Sequence, residues 1–474
     1  MLFNSLSFIA FFIVVLGLYY SIRSWKAQKV LLLAASYVFY AAWNPPFVVL
    51  LWVSTAVDWF AARRLAGEEN RRKRIAYLSL SLAANLGLLG FFKYGGFLLD
   101  NFVSMVGFYG VAYQPAKPDI ILPVGISFYT FQTMSYTLDV YLHRAKPTRS
   151  ALDFALYVTF FPQLVAGPIV RASQFLPQCL TSKRATRRQF TWGLFMMTLG
   201  LFQKVVLADA MLSPAAEAVF GFDRGPLSPV DSWIGVLAFS GQIFFDFAGY
   251  STCAIGIALC LGFSLPDNFR RPYAAVGFSD FWQRWHISLS TWLRDYLYIP
   301  LGGNRKGRLR TLANLMVTML LGGLWHGASW TFVAWGGLHG LFLVAERELK
   351  RVLGDRARLT SRGARTLAGL LTFFLVNITW VFFRAPDFPS AGLMILSMFG
   401  LAGSGAQVLP TLDIVKVVGV VAALLAVHWR FRTSRIETAA QNVPSWGHGL
   451  AWAAMLVLLV ITQGGGNAFI YFQF

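Results

Sequence analysis

Charge is scarce in this sequence, and acidic charge is scarcer than basic charge. Only 13% of the 474 residues are Asp, Glu, Lys or Arg, whereas 56% are hydrophobic. A soluble core cannot absorb that much apolar sequence, so the composition favours a membrane protein. Apolar runs approaching the roughly 20 residues of a spanning helix recur from Leu6–Tyr20 to Leu450–Thr462. We therefore expect no sizeable soluble domain.

Basic residues outnumber acidic ones, 41 to 21, giving a formal net charge of +20. They lie in short connections between apolar segments, which is typical of cytoplasmic loops and argues against nucleic-acid binding. If these loops face the cytoplasm, both termini lie on the opposite side of the membrane. The first apolar run has no preceding positive charge, so we expect it to be a retained span and not a signal peptide.

Cysteines are few and common catalytic motifs are missing. Cys179, Cys253 and Cys260 form no CxxC pair and show no metal-ligand spacing, so we interpret them as packing residues and predict no metal site. No HExxH, GxGxxG, P-loop or G-x-S-x-G motif occurs. Zinc hydrolysis, dinucleotide binding and the usual serine hydrolase arrangement therefore lack support.

Helices are the expected elements, because a spanning segment must satisfy its own backbone hydrogen bonds and the alternation of barrel strands is absent. We predict an all-α, polytopic protein with about 11–14 helices, some too short to cross the bilayer. The predicted spans lie near Leu6–Tyr20, Val30–Ala42, Phe47–Ala62, Ile75–Phe92, Ile121–Tyr141, Phe190–Met211, Trp233–Leu261, Leu312–Ser329, Thr331–Ala345, Thr366–Phe383, Ile414–His428 and Leu450–Thr462.

Two segments depart from this pattern. Proline and glycine interrupt the apolar run within Asp153–Pro177, which predicts a re-entrant segment. Asp267–Gly307 is aromatic and basic and contains no clean span. We expect it to lie at the cytoplasmic interface or to enter a cavity.

Six histidines are the main candidates for acid–base chemistry. His143, His428 and His448 lie at span ends or in loops, where hydrated interfacial histidines are ordinary. His326 lies in an apolar, glycine-rich run, and an ionisable residue at such depth predicts a cavity and a function. A neutral imidazole that only joins helices is the alternative interpretation. A histidine of near-neutral pKa can take a proton from a hydroxyl that attacks a thioester.

The partner of His326 is open at this point. His286 follows Trp285 in an aromatic and basic stretch that fits either a membrane interface or the wall of a substrate tunnel. His339 comes thirteen positions after His326, which on one continuous helix means roughly 220° of rotation and about 20 Å of rise. We therefore prefer His286 as the partner and assign His339 mainly to packing.

A basic turn at Leu301–Arg308 follows Tyr298. Its backbone amides and cations could hold the phosphates of a coenzyme. A plain cytoplasmic loop explains the same residues equally well.

Several motifs together resemble the membrane-bound O-acyltransferase family, and specifically its bacterial branch that contains the alginate O-acetyltransferase membrane subunit. The matching segments are Met1–Ser5, Leu122–Gln132, Phe161–Ile169, Asp246–Ser251, Phe281–Asn304, Trp325–Gly327, Trp380–Ala385 and Phe469–Phe474. Each is weak alone, but their order and spacing are specific, and they extend over nearly the whole chain.

The resemblance implies a single transmembrane domain over 1–474, with N-terminal helices at 1–115, a catalytic core at 116–345 and C-terminal helices at 346–474. It implies a ring of helices around a central tunnel, in which His326 is the catalytic histidine and His286 a second histidine. Within the matching segments we predict a set of substrate- or donor-binding residues: Trp325, Arg294, Asp295, Tyr298, Asn304 and Gln132.

The resemblance also implies the chemistry. An acetyl group would arrive as a cytoplasmic thioester, with acetyl-coenzyme A as the expected donor and no tightly bound cofactor. It would leave on the periplasmic side of a bacterial inner membrane, where both termini would lie. The acceptor would be an exopolysaccharide such as alginate or a periplasmic acetyltransferase partner.

Two alternatives stay open. Transfer of D-alanine toward teichoic acid uses related proteins, although the Phe469–Phe474 ending resembles the polysaccharide-acetylating branch. A transporter or flippase would need intramembrane acids, for which Asp139, Asp209 and Asp246 are candidates, and paired repeat halves, which we do not find.

Overall fold

The chain folds into helices throughout the part that the computed structural model describes, residues 1–116, 119–354, 361–434 and 443–462. No strand forms within these ranges, where one isolated bridge pairs Leu227 with Ala406. The predicted all-α class is confirmed. The Phe469–Phe474 motif lies outside the described residues.

The α-helices differ widely in length. They are α1 Leu6–Ser21, α2 Trp25–Ala41, α3 Val48–Ala66, α4 Arg71–Phe108, α5 Ile126–Tyr141, α6 Ala151–Thr159, α7 Phe161–Leu164, α8 Ala172–Phe175, α9 Arg187–Leu201, α10 Ser213–Phe220, α11 Pro229–Cys260, α12 Phe278–Trp282, α13 Ile287–Leu293, α14 Arg308–His326, α15 Trp330–Leu353, α16 Arg362–Arg384, α17 Phe388–Met398, α18 Thr411–Arg430 and α19 Ser445–Thr462. Single 3₁₀ turns occupy Pro45–Phe47, Leu176–Cys179 and Pro272–Ala274, and π-helices occupy Phe202–Leu212 and Arg294–Tyr298.

Within the described ranges, seven helical stretches are long and apolar enough to cross a membrane. They are Pro45–Ala66, Arg71–Phe108, Arg187–Phe220, Pro229–Cys260, Arg362–Arg384, Thr411–Arg430 and Ser445–Thr462. The chain is therefore a multi-pass membrane protein. The predicted spans Leu312–Ser329 and Thr331–Ala345 are helical, as α14 and α15, but do not belong to these seven.

Some helix bounds differ from the predicted ones for local reasons. The span predicted to begin at Ile121 begins at Ile126, because Gly125 precedes it in the left-handed region with φ of 76°. A Cβ on Gly125 would lie 2.7 Å from the carbonyl oxygen of Leu164, so only glycine fits. The sequence prediction missed α17, whose 11 residues are too short for a span and whose first turn is capped by Asp387.

The described chain divides into two compact units. The first unit comprises Met1–Leu194 and Ala254–Pro266, and the second comprises Phe195–Cys253 and Asp267–Phe474. Two of the three boundaries fall inside α9 and α11, and the third follows Pro266, after the end of α11. The division into 1–115, 116–345 and 346–474 stays a prediction.

A buried polar network joins α3, α4 and α5 in the first unit. The Asp58 carboxylate accepts hydrogen bonds from the Ser81 hydroxyl, from the Asn85 amide at 2.6 Å and from the Thr137 hydroxyl at 2.7 Å. Asp58 is fully buried, so these donors replace the water that it has lost. The network thereby fixes the mutual register of the three helices.

The interrupted segment at 151–179 also lies in the first unit. Its backbone breaks into α6, α7, α8 and a 3₁₀ turn, and residues 156–170 are all buried. Asp153 on α6 forms an ion pair with Lys29 on α2. Irregular backbone inside an apolar protein is tolerated where surrounding protein supplies its partners, which agrees with the interruption predicted for Asp153–Pro177. Its re-entry into the membrane stays a prediction.

The second unit contains a tight hairpin of α14 and α15. A Cβ on Gly323 would lie 2.3 Å from the Phe332 carbonyl oxygen, and one on Gly336 would lie 2.3 Å from the Met319 carbonyl oxygen. The two backbones therefore approach each other where neither carries a side chain. This close packing places the end of α14 against the start of α15.

Candidate active site

His326 is the last residue of α14, where Gly327 leaves the helix in an extended conformation. The side chain is 2% exposed. Aromatic rings surround its imidazole, with centroid distances of 5.0 Å to Trp325, 5.0 Å to Trp335 and 5.4 Å to Phe383. The ring therefore lies in an apolar environment.

The turn after His326 depends on glycine. A Cβ on Gly327 would lie 2.1 Å from the Phe332 ring. Phe332 packs edge-on against Phe383 at 4.8 Å, and Phe383 in turn contacts His326. The position of the imidazole is thus linked through two phenyl rings to the absence of a side chain at residue 327.

His286 occupies a strained position just before α13. Its φ is +43°, in the left-handed region that non-glycine residues seldom adopt, at a cost of about 1–3 kcal/mol. The side chain is fully buried. Burial lowers the pKa of the imidazole to about 3, an effect that a hydrogen bond with its own backbone only partly offsets, so the ring is neutral at physiological pH.

Asn268 holds this segment in place. Its backbone carbonyl oxygen accepts a hydrogen bond from the Ile287 amide at 2.9 Å, and its side-chain oxygen lies 3.2 Å from Nδ1 of His286. The same oxygen accepts from the Ser288 hydroxyl at 2.9 Å. These contacts offset the backbone strain at His286.

The structure brings the two preferred histidines together. The ring centroids of His286 and His326 lie 6.3 Å apart, and the Trp325 ring contacts both, at 5.8 Å and 5.0 Å. Phe247 closes another side of His286 at 4.6 Å. Two imidazoles this close together can exchange protons with the hydroxyl or thiol of a substrate.

His339 lies nearer to this pocket than a continuous helix would allow. The two histidines do not lie on one continuous helix, because α14 ends at His326 and α15 begins at Trp330. The Trp335 ring contacts both imidazoles, at 5.0 Å and 4.7 Å. Nε2 of His339 lies 3.0 Å from the Thr379 hydroxyl, so this histidine also joins α15 to α16.

The remaining histidines fall into two groups. His143 is exposed just after α5, as expected for a hydrated end residue. The expectation of hydration is wrong for His428, which is 4% exposed on α18. Its Nδ1 accepts from the Tyr273 amide at 3.3 Å and its ring packs edge-on against Phe244 at 4.8 Å, because this face of α18 packs into the interior of the unit. His448 is partly buried and contacts Phe195.

An ionic clamp supports the backbone before His286. The Asp280 carboxylate bonds Arg284 at 2.7 Å and Arg432 at 2.6 Å, and it also accepts from the Val276 amide. Burial by itself raises the pKa of the Asp280 carboxyl, but the amide and the two guanidinium groups together hold that pKa below its ordinary value. The clamp anchors the turn that leads into His286.

The predicted donor-binding residues of the aromatic and basic stretch form a separate, more exposed group. Arg294 and Asp295 pair at 2.7 Å with side chains 59% and 22% exposed, Tyr298 is half-buried and Asn304 is exposed. The amides of residues 301, 302, 303 and 305 donate to the backbone carbonyls of residues 297, 299, 298 and 302, respectively. Those amides are therefore engaged, and cationic side chains are the groups that could meet an anion.

Gln132 lies on α5 in the first unit and is 1% exposed. Neither atom of its side-chain amide has a hydrogen-bond partner in the described part of the chain. Its predicted role in substrate binding stays a prediction. Across the described ranges, no group of three or more His, Cys, Asp or Glu side chains could hold a metal ion.

Two of the acids considered for a transport pathway share one cation. Lys204 in the π-helix pairs with Asp209 at 2.8 Å and with Asp246 at 2.5 Å. All three side chains are buried. Asp139 is also buried and is the third residue from the end of α5. Asp209 and Asp246 therefore each have Lys204 as a partner of opposite charge.

Sequence reasoning missed several residues of the pocket. Asn268 lies inside the Asp267–Gly307 stretch, but an asparagine 18 positions before a histidine carries no periodic signal. Trp335 and Phe383 are ordinary apolar residues of predicted spans, and only the hairpin of α14 and α15 brings Trp335 beside His326.

Comparisons with known proteins identify the class. The model of the membrane-bound O-acyltransferase family, MBOAT, matches residues 146–384, half of the chain, which include both His286 and His326. The chain belongs to the membrane-bound O-acyltransferase family. The family predicted from the motifs is thus confirmed, and the protein is a membrane acyltransferase.

Individual relatives of this chain carry named transferase activities. The chain is 41% identical over 402 residues to a probable alginate O-acetylase AlgI from Azotobacter vinelandii, covering 84% of this chain and 78% of that protein. It is 39% identical over 435 residues to a peptidoglycan O-acetyltransferase from Helicobacter pylori, covering 85% and 80%. A teichoic acid D-alanyltransferase from Streptococcus thermophilus is more distant, 28% identical over 313 residues, covering 60% and 75%.

Proposed function

We propose that this protein transfers an acetyl group from acetyl-coenzyme A at the cytoplasmic face of a bacterial inner membrane to an acceptor on the periplasmic side, for O-acetylation of an exopolysaccharide such as alginate. The pairing of His286 with His326 in one buried pocket is the observation that carries this proposal. The greater similarity to acetylating relatives than to the D-alanyltransferase supports the acetyl group.

His326 is the general base in this proposal. Its neutral imidazole takes the proton of the acceptor hydroxyl while the hydroxyl oxygen attacks the thioester carbonyl. The tetrahedral intermediate collapses with cleavage of the carbon–sulfur bond, and the imidazolium returns the proton to the departing thiolate. The products are an acetyl ester and the free thiol, and the enzyme regains its starting protonation state. General base catalysis of this kind contributes about 10²–10⁴ to the rate.

The aromatic walls support this chemistry. Trp325, Trp335 and Phe383 keep water from the imidazole, which limits hydrolysis of the thioester. The proposal requires a passage from each aqueous side to the pocket. The cationic turn at 301–308 lies in an exposed position suited to the phosphates of the coenzyme.

The acceptor on the outer side is either the polymer or a periplasmic acetyltransferase that passes the group on. The described chain is helical and membrane-embedded, so a separate partner for polymer modification fits its architecture. The positive-inside pattern supports a periplasmic position for both termini. Epitope tags at each end, probed by protease in intact spheroplasts, test that orientation.

A donor competition tests the proposed function. Purified protein in lipid nanodiscs is incubated with radiolabelled acetyl-coenzyme A or with a D-alanyl carrier protein, together with alginate oligomers or peptidoglycan fragments. Release of free coenzyme A with formation of an O-acetyl ester is expected only with the acetyl donor. Transfer of D-alanine with no turnover of acetyl-coenzyme A would contradict the proposal.

Histidine variants give the matched control. His326→Ala is expected to abolish acetyl transfer, whereas His143→Ala is expected to leave it unchanged, because His143 is exposed after α5. Both proteins must be present in the membrane at wild-type amounts.

A further inference from the structure

We infer that Asn268 is a positioning residue that holds His286 in the neutral tautomer protonated at Nδ1, so that Nε2 of His286 presents an unprotonated lone pair to the reaction. This inference rests on the proposed function for its kinetic consequence. The tautomer itself can be measured without any activity.

Backbone contacts first fix the two residues side by side. The Ile287 amide donates to the Asn268 carbonyl at 2.9 Å, and the Arg270 amide donates to the Arg284 carbonyl at 2.9 Å. These bonds hold residues 268–270 alongside residues 284–287. Asn268 is 1% exposed and His286 fully buried, so water does not compete for their polar atoms.

The orientation of the Asn268 amide follows from its partners. Its side-chain oxygen lies 3.3 Å from the Ser288 amide nitrogen, which can only donate a hydrogen bond. Its side-chain nitrogen donates to the Ser251 hydroxyl at 3.2 Å. The opposite orientation would set two donors against each other at Ser288, so the oxygen must face that side.

The same oxygen determines the tautomer of His286. It lies 3.2 Å from Nδ1, and an amide oxygen can only accept. Nδ1 must therefore carry a proton, and in a neutral imidazole Nε2 then carries none. The role of Asn268 resembles that of a group that orients a catalytic histidine by bonding its other nitrogen.

Nε2 is the other ring nitrogen of His286, whose imidazole lies 6.3 Å from that of His326 between ring centroids. The neutral tautomer gives His286 a proton acceptor there and no donor, so we infer that it binds a hydroxyl or thiol hydrogen and does not stabilise an oxyanion. Loss of Asn268 would free the ring to adopt the other tautomer, with the proton on Nε2. The pocket would then contain a donor where an acceptor is required.

Few charged groups surround His286. On α14 the titratable neighbour is His326, at 6.3 Å between ring centroids. On α11, Asp246 and Tyr250 lie within three positions of Phe247, which contacts the imidazole. Asp267, beside Asn268, is exposed and paired with Arg270 at 3.1 Å. A new carboxylate at residue 268 would take the place of the Asn268 side-chain oxygen, 3.2 Å from Nδ1 of His286.

The test compares Asn268→Ala and Asn268→Asp with wild type in nanodiscs, using acetyl-coenzyme A and following kcat/KM against pH. Asn268→Ala is expected to lose about 10- to 100-fold in kcat/KM. Asn268→Asp keeps an acceptor oxygen and adds negative charge, which favours the imidazolium. The acid limb of the kcat/KM profile of Asn268→Asp is expected to move at least one pH unit upward, with most of the activity regained at high pH.

Asn377→Ala is the matched control. Asn377 is also 1% exposed in the second unit, and its side-chain nitrogen donates to the Phe373 carbonyl within α16 at 2.8 Å. The Asn377→Ala substitution is expected to leave the dependence of kcat/KM on pH unchanged. Unshifted profiles in both Asn268 variants, with activity lost only in proportion to folded protein, would overturn the inference.

Nitrogen-15 NMR of histidine-labelled protein, with His286→Gln to assign the signals, tests the tautomer independently. A protonated Nδ1 and an unprotonated Nε2 at neutral pH are expected for His286. The reverse pattern would overturn the inference even if the wild type transfers acetyl groups. Conversely, absence of acetyl transfer in the wild type would contradict the proposed function and leave the NMR result standing.

Discussion

Replacement of Gly327 by alanine should displace the His326 imidazole indirectly, through Phe332 and Phe383. The added Cβ would lie 2.1 Å from the Phe332 ring. Carbon atoms normally meet at about 3.5–4.0 Å, so the overlap is roughly 1.5 Å. The backbone at residue 327 is extended, with φ of −158°, and tolerates alanine, so the effect is purely steric. Phe332 must move, and it presses on Phe383 and through it on His326.

Overpacking of this kind costs about 1–3 kcal/mol of stability. A shift of about 1 Å at a catalytic group can cost about 10²-fold in rate. We therefore expect Gly327→Ala to lower kcat by 10- to 100-fold, measured by release of free coenzyme A, with a lower midpoint of thermal unfolding in detergent.

The control for this prediction is Gly337→Ala on α15, whose Cβ would meet only the Leu320 side chain, at an ordinary 3.4 Å. It should retain wild-type activity. In the double variant Gly327→Ala with Phe332→Leu, the smaller side chain should restore part of the lost rate. Wild-type kcat and stability in Gly327→Ala would refute the reasoning.

Three further predictions concern other contacts. Asp280→Asn should lower the free energy of unfolding by about 1–3 kcal/mol, because two guanidinium groups lose their anion. Since the folded-state pKa of Asp280 is lowered, this difference should be fully present above the ordinary aspartate pKa and be lost as pH falls below that value and through the folded-state pKa. Chemical denaturation at several pH values measures the difference, and a pH-independent difference would contradict the prediction. Lys29→Met should lower the free energy of unfolding by about 3–5 kcal/mol, because the Asp153 carboxylate, which is 9% exposed, loses its cation. The double variant with Asp153→Asn should recover part of that loss. Equal unfolding midpoints for Lys29→Met and the double variant would contradict this prediction. Arg305→Gln with Lys306→Gln should raise the KM for acetyl-coenzyme A about two- to tenfold with kcat unchanged, if these exposed cations bind its phosphates; an unaltered KM at low salt would exclude them.

The class of fold could be predicted from the sequence because long apolar runs in a chain with 13% charge have few physical solutions. Helix bounds were less accurate where one residue decides them. Gly125 delays α5 by its left-handed backbone, and a cap at Asp387 starts a helix too short to register as a span. Such effects depend on single positions and are averaged out in any hydropathy window.

The candidate site was predictable only in part. An ionisable residue in an apolar run marked His326, and the resemblance to a family marked His286. Separate spans were predicted at Leu312–Ser329 and Thr331–Ala345, but not that the first helix ends as early as His326. Gly327 leaves the helix in an extended conformation, and Phe332 occupies the space that a side chain at residue 327 would need. The relation of Asn268 to His286 arises from tertiary packing and left no pattern in the sequence.

The central claim is that the His326 imidazole takes the proton of the acceptor during acetyl transfer. The most direct measurement is single-turnover acetyl transfer by wild type and His326→Gln, with labelled acetyl-coenzyme A on the cytoplasmic side of sealed vesicles and the acceptor inside. A loss of at least about 10²-fold in the variant, at equal membrane insertion and equal donor binding, is the expected result. Transfer by His326→Gln at the wild-type rate would contradict the account.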